Sequence, residues 1–327
     1  MLRMTIATGR YDRTAALIDG RVKPEGIDAT WLPLNVEQIF WRMFRHQEFD
    51  ASELSLSSTL IRLGRGMEDL VPIPVFLSRT FRHECLYVNT AAGVQGPGDL
   101  AGRRVGLPEF QLTACVWARG ILEDEYGVRQ EDVTWVTGGL EQPGRKAQEP
   151  VRPPGVTIEE AAPGKTLSRM LADGEIDALI SPRRPSVFGD GSGRVERLIP
   201  DVWAASRSYY ERTKIFPIMH LVAIKRPIVE ANPWVPQTLA NAFLSAKRLA
   251  EADLRDTTAL PVSLPFLVEH AEQTAELMGE DFWPYGVEAN RPTLEAFVRY
   301  SHRQGLIPEL PDIDAIFPAS TREVSRI

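Results

Sequence analysis

Cysteine is nearly absent: two residues, Cys85 and Cys115, in a chain of 327. That is too few for a disulfide scaffold, and neither sits at metal-ligand spacing, so both read as reduced, half-buried thiols in apolar surroundings. No His-x-x-x-His, Cys-x-x-Cys, Gly-x-Ser-x-Gly, Walker or Gly-x-Gly-x-x-Gly pattern occurs. Their absence speaks against zinc hydrolases, α/β-hydrolases and nucleotide-binding enzymes. Clustered basic residues are missing too. With 37 Lys+Arg against 44 Asp+Glu the formal charge is −7, and no electrostatic footprint for nucleic acid appears. No apolar run approaches a membrane span. The first twenty residues carry Arg3, Arg10, Asp12, Arg13 and Asp19 and no apolar core of an export signal. The expectation is a cytoplasmic protein with neither membrane nor nucleic acid as partner.

What is present is the composition of a soluble globular protein, 43% hydrophobic and 25% charged. Short apolar runs at 2–7, 27–32, 49–54, 71–76 and 85–89 alternate with helical patterns, and predict a first α/β lobe. A second βαβ series opens at 99–107 and continues through strands at 133–136 and 176–180. Between them, residues 138–164 hold five glycines and five prolines and read as loop. A strand at 218–224 follows, and then helices at 235–254, 264–278 and 291–304. In the first of these, Leu239, Ala242, Phe243, Ala246 and Leu249 fall on one face. The predicted architecture has two lobes, each a mixed, mainly parallel sheet flanked by helices. Lobe one is discontinuous, residues 1–95 plus 218–327, and lobe two is 96–217. Such folds bind ligands between lobes, at the carboxyl ends of strands.

Several polar groups fall at those places. Ser57 or Ser58 is the expected N-cap of a helix that follows a strand, with free amides suited to a carboxylate. Gln111 and Thr113 stand at the matching junction of lobe two. Arg79, Arg82 and His83 cluster before an apolar run, offering planar cations for a carboxylate and a side chain that titrates near neutrality. Arg183 follows the 176–180 strand, and Arg10 follows the first strand. His220 lies inside an apolar strand, where a core role and a catalytic role compete. His46, His270 and His302 read as structural.

The segments 53–58, 79–88, 99–113, 117–122, 138–145, 174–183, 216–220 and 283–290 resemble the 4,5-dihydroxyphthalate decarboxylase family, a likeness that covers nearly the whole chain. The resemblance implies a two-lobed fold of the type II periplasmic-binding-protein kind, and a carboxy-lyase acting on an aromatic dicarboxylate in aromatic catabolism. In 4,5-dihydroxyphthalate each carboxylated carbon has a hydroxyl para to it. Electron release from that hydroxyl lets the carbon take a proton, after which carbon dioxide leaves. No electron-sink cofactor is needed. On this reading His83 and His220 are the acid/base pair, in an order left open. Arg10, Arg79, Arg82, Arg183, Ser57, Ser58, Gln111 and Thr113 hold carboxylates or hydroxyls. No cofactor is expected; the alternative is a divalent metal on the catechol oxygens, held by Glu53, His83 or Glu84. Two other functions stay open: a solute-binding protein that captures a carboxylate without turnover, and a lyase for another aromatic acid. Phe282, Trp283 and Tyr285 in the tail read as core, with a homo-oligomer contact as the other reading.

Overall fold

The structure, a computed structural model, describes residues 1–147 and 149–322. Among the described residues eleven strands form two sheets. The first sheet contains β1 (Leu2–Thr8), β2 (Ile27–Pro33), β3 (Ala51–Ser55), β4 (Leu70–Arg79) and the late strand β11 (Ile218–Lys225), in the order β2-β1-β3-β11-β4. The second contains β5 (Leu86–Asn89), β6 (Arg104–Leu107), β7 (Thr134–Thr137), β8 (Ile158–Glu160), β9 (Ala178–Ile180) and β10 (Val195–Arg197), in the order β10-β5-β9-β6-β7-β8. Pairing is parallel among β1, β2 and β3 and along β9-β6-β7-β8, and antiparallel where β11 and β5 enter. Both sheets are thus mixed.

Helices α1 (Asp12–Ile18), α2 (Val36–His46) and α3 (Leu56–Gly64) follow β1, β2 and β3. Helices α4 (Thr113–Tyr126), α5 (Leu167–Ala172) and α6 (Val202–Thr213) belong to the middle of the chain. The tail adds α7 (Arg226–Ala231), α8 (Val235–Asp253), α9 (Leu267–Met278) and α10 (Arg291–Arg303). Among the described residues no helix is long and apolar enough to cross a membrane. The face of α8 with Leu239, Ala242, Phe243 and Ala246 is buried as its periodicity predicts, whereas Leu249 is 40% exposed.

The crossing between sheets differs from the expected boundary near residue 95. Strand β5 pairs with β9 and β10 in the second sheet, so the chain leaves the first sheet directly after Arg79. Strand pairing over ninety residues of separation leaves no local trace in the sequence. Ile158–Glu160, expected as loop, is the short edge strand β8, and Gln148 of that stretch lies outside the described residues. Two further elements, β10 and α6, were not foreseen: Val-Glu-Arg has no apolar run, and α6 buries only Ser206 and Tyr209.

One core runs through both lobes because α4 bridges them. Trp117 on α4 donates its indole N–H to the Ile218 carbonyl of β11 at 2.8 Å. It also meets Phe297 and Tyr300 of α10 at ring distances of 5.1 and 5.6 Å. Gly120, one turn along α4, lies under the Tyr300 ring, where any Cβ would collide. This packing presses the N-terminus of α4 toward that of α3, which is where the candidate site begins.

Candidate active site

A carboxylate in the middle of a fully buried strand is the first anomaly. Glu53 lies on β3, whose five residues are all buried, and is 0% exposed. A charge there must be met by donors. Three provide this: the Tyr11 hydroxyl donates to Oε1 at 2.7 Å, the Gly9 amide to Oε2 at 2.7 Å, and His220 Nδ1 to Oε1 at 2.6 Å. Burial alone would raise the Glu53 pKa, but the bonds from His220, Gly9 and Tyr11 outweigh it and hold the group below the usual carboxylate range. Tyr11 is pushed the other way, upward, by burial and by the Glu53 charge. It therefore remains a phenol and a donor.

Local sequence explains the cluster. After β1 the chain turns at Gly9, where a Cβ would strike the Tyr11 ring; glycine lets that ring fold back over Glu53. Arg13 stacks on the same ring at 4.1 Å and on Trp283 at 4.2 Å. Thr14 Oγ1 accepts the Tyr11 amide at 3.1 Å. His220 enters from β11, paired with Ser55 of β3, and stacks edge-on against Phe40 of α2 at 4.8 Å. An ionised Glu53 requires the proton on Nδ1, which directs Nε2 away from it. No protein group among the described residues bonds Nε2, and the side chain is 17% exposed. The imidazole is oriented at one nitrogen and open at the other.

The two helix starts meet beside it. Ser55, rather than Ser57 or Ser58, caps α3: its Oγ accepts from the Ser58 amide at 3.3 Å. The reason is register, since β3 runs directly into α3 at Leu56. Thr113 is the first residue of α4 and not its cap; its Oγ1 lies 3.0 Å from Ser55 Oγ and accepts the Ser57 amide at 3.2 Å. Ser57 Oγ is buried with no partner among the described residues. Gln111 is buried and donates to Glu109 at 2.6 Å, and Glu109 in turn holds Arg145 at 2.6 Å.

Across the cleft, Glu37 at the start of α2 bridges to the second lobe, meeting Arg183 at 3.2 Å and Arg145 at 3.5 Å. These residues line a cavity of about 470 Å³ together with Leu112, Gly139 and Ser181. Phe40, which touches His220, lies one turn from Glu37 on the same helix. Arg10 is exposed and carries no ion pair among the described residues.

Three expected site residues are placed elsewhere. His83 sits in a 3-10 turn, 2% exposed, with Nδ1 3.3 Å from Ser206 Oγ and its ring against Tyr209 of α6. Burial lowers its pKa to about 4, so it is a neutral, enclosed imidazole. Arg79 is bound to the Phe216 and Pro284 carbonyls and to Asn290. Arg82 turns to Met219 Sδ at 3.1 Å and to Glu84 at 3.3 Å. Successive strand residues face opposite ways, so Arg82 packs on the side of β11 away from His220. Glu53, His83 and Glu84 consequently share no point at which a metal could be held, and among the described residues no group of three such ligands converges. Sequence reasoning missed Tyr11, Glu37 and Arg145, and took Glu53 only as a metal ligand; a glutamate within an otherwise apolar strand was the available signal.

No protein-family model matches the chain. Among solved structures, the periplasmic sulfonate-binding protein SsuA of Methylobacillus flagellatus KT is 15% identical with a TM-score of 0.56, over 97% of this chain and 92% of that one. The aliphatic sulphonate binding protein SsuA of Escherichia coli is 13% identical with a TM-score of 0.54, over 100% and 95%. The fold class is therefore that of the two-lobed periplasmic binding proteins. At the level of sequence, the 4,5-dihydroxyphthalate decarboxylase of Comamonas testosteroni is 42% identical over 321 residues, 98% of this chain and 97% of that protein. That of Pseudomonas putida is 43% identical over 210 residues, 64% of this chain and 81% of that protein. The chain belongs to the 4,5-dihydroxyphthalate decarboxylase family.

Proposed function

We propose that this chain removes one carboxylate from 4,5-dihydroxyphthalate, yielding protocatechuate and carbon dioxide, with His220 as the proton donor. The observation that carries the reading is the Glu53–His220 pair, an imidazole held at Nδ1 by a buried carboxylate and open at Nε2, in a chain of this family.

The chemistry follows from that geometry. Protonated His220 is stabilised by the Glu53 charge, as in other carboxylate–histidine pairs. Its Nε2–H faces the carboxylated ring carbon. The para hydroxyl releases electron density, the carbon takes the Nε2 proton, and the ring loses aromaticity. The C–C bond to the carboxylate then breaks, its electron pair returns to the ring, and carbon dioxide departs. Water returns the proton to His220. General acid catalysis of this type contributes about 10²–10⁴-fold; the remainder must come from orientation. Arg183 and Arg145 are assigned the retained carboxylate, in exchange for Glu37, with Arg10 at the rim. Ser57, Ser58, Thr113 and Gln111 are buried, and in this scheme they brace the two helix starts beside His220 rather than bind a substrate oxygen. His83, Arg79 and Arg82 have no contact role in this scheme. A cytoplasmic location remains part of the proposal, to be tested by cell fractionation.

The test is incubation of the purified chain with 4,5-dihydroxyphthalate, following carbon dioxide release and protocatechuate by chromatography. Stoichiometric release of both supports the reading. Tight binding without turnover would establish a receptor, and neither binding nor turnover would point to another aromatic acid.

A further inference from the structure

An apolar cavity lies at the hinge, where the chain crosses between the sheets after Arg79 and returns before Ile218. It measures about 870 Å³ and is walled by Phe81, Trp203, Phe216, Leu277, Phe282 and Trp283. That volume lies within the range of small-molecule sites. Arg79 lines it and is only 5% exposed. Its bonds go to the Phe216 and Pro284 carbonyls and to the Asn290 amide oxygen, all uncharged, and its Nε has no partner. Among the described residues no carboxylate forms an ion pair with it. A buried cation without an anion is a costly arrangement that proteins rarely leave uncorrected.

The carboxylates around the cavity are committed elsewhere. Glu84 pairs with Arg82 at 3.3 Å, and Asp201 caps α6 at the Ala204 amide at 2.9 Å. Arg207 already has Glu211 at 3.0 Å. Arg197, on the same wall, bonds the Tyr87 hydroxyl and lies 5.5 Å from the Phe188 ring, but it forms no ion pair among the described residues and its Nε is buried without a partner. The cavity thus has net positive character at its polar end. Arg119 offers a control: it also lacks a carboxylate, but it stacks over the Phe110 ring at 3.7 Å inside a closed core. Arg79 instead borders open space, and its nearest rings lie at 5.4 and 5.5 Å.

The roof of the cavity is equally incomplete. Helix α9 supplies Gln273, Thr274, Leu277 and Met278 to the lining, yet of its twelve residues only Leu267 is buried. A helix with apolar residues directed at a void lacks the contacts that normally hold one in place.

We propose that this hinge cavity is a second binding site, distinct from the Glu53–His220 cleft, for an apolar organic carboxylate whose head pairs with Arg79 and Arg197 and whose body fills the space under α9. A planar guanidinium suits a carboxylate, and aromatic walls suit a flat apolar body.

The probe is 1-naphthoate, with the uncharged 1-naphthalenemethanol beside it, titrated calorimetrically into the full chain. Expected is saturable naphthoate binding at one site per chain, at least about tenfold tighter than the alcohol, and undisturbed by saturating 4,5-dihydroxyphthalate. Trp203→Ala, at an exposed position, and Leu277→Trp, which fills the cavity, should each weaken naphthoate about tenfold while leaving turnover unchanged. Comparison with the alcohol tests the charge without altering Arg79, whose replacement endangers folding. Absence of saturable binding, equal affinity for the alcohol, displacement by dihydroxyphthalate, or indifference to both variants would overturn the proposal. So would a dimer that covers Trp203 and excludes naphthoate.

Discussion

Two of the five histidines, His83 and His220, stand in opposite circumstances. His220 is tied at Nδ1 to a buried, ionised Glu53, and among the described residues no protein group bonds its Nε2. His83 is enclosed by Ser206 and Tyr209, where burial disfavours its charged form. The residue type is the same, and both lie beside apolar strands. What separates them is the partner: a carboxylate supports an imidazolium, whereas a hydroxyl and an aromatic edge support only the neutral ring. Burial by itself does not make a histidine functional.

The contrast can be broken most forcefully at His220. His220→Asn should lower kcat for 4,5-dihydroxyphthalate by about 10²–10⁴-fold with KM changed much less, and urea unfolding should stay cooperative. Glu53→Gln comes next, with a loss of kcat at the lower end of that range, about 10²-fold. Gln keeps the shape but removes the charge that stabilises the imidazolium. A variant that retained full activity would detach His220 from its carboxylate.

For His83 the expected effect is on stability. Its folded pKa near 4 lies below the ordinary value of 6.5, so between those values the unfolded chain binds a proton that the folded chain refuses. Stability from this group is therefore complete above pH 6.5 and lost on acidification toward pH 4, on the order of 2–3 kcal/mol. Glu125 and Arg212, the charged groups that act on it, oppose one another. Urea midpoints at pH 7.5 and 4.5 should show the loss, and His83→Asn should shrink it. Glu37→Ala is expected to do least. Its ion pairs to Arg145 and Arg183 are partly exposed and worth about 0–1 kcal/mol, but releasing Arg183, with Arg145 still held by Glu109, should lower KM by a few-fold.

How much of this was legible beforehand depended on whether the determining contact was local. The strands of the first sheet showed as apolar runs, and the two-lobed layout followed from their alternation with helices. The membership of β5 did not, since it is decided by pairing with β9 almost a hundred residues away. His220 was singled out as a polar residue within an apolar strand and Ser57 and Thr113 as residues near helix starts, but the caps expected at Ser57 or Ser58 and at Thr113 fall on Ser55 and Leu112. Arg79, Arg82 and His83 formed an attractive cluster along the chain, but a 3-10 turn sends them to separate partners. Tyr11 meets Glu53, and Glu37 meets Arg145, only through folding. Glu53 was visible as a charge inside an apolar strand, whereas its donors Gly9, Tyr11 and His220 come from other segments and left no local sign.

The central claim is that one histidine carries the proton and the other carries structure. It is tested most directly by measuring kcat for 4,5-dihydroxyphthalate in His220→Asn and His83→Asn side by side at one near-neutral pH. The account predicts that His83→Asn stays within a few-fold of the parent chain while His220→Asn falls by at least about 10²-fold. Equal losses in both, or the larger loss in His83→Asn, would contradict it.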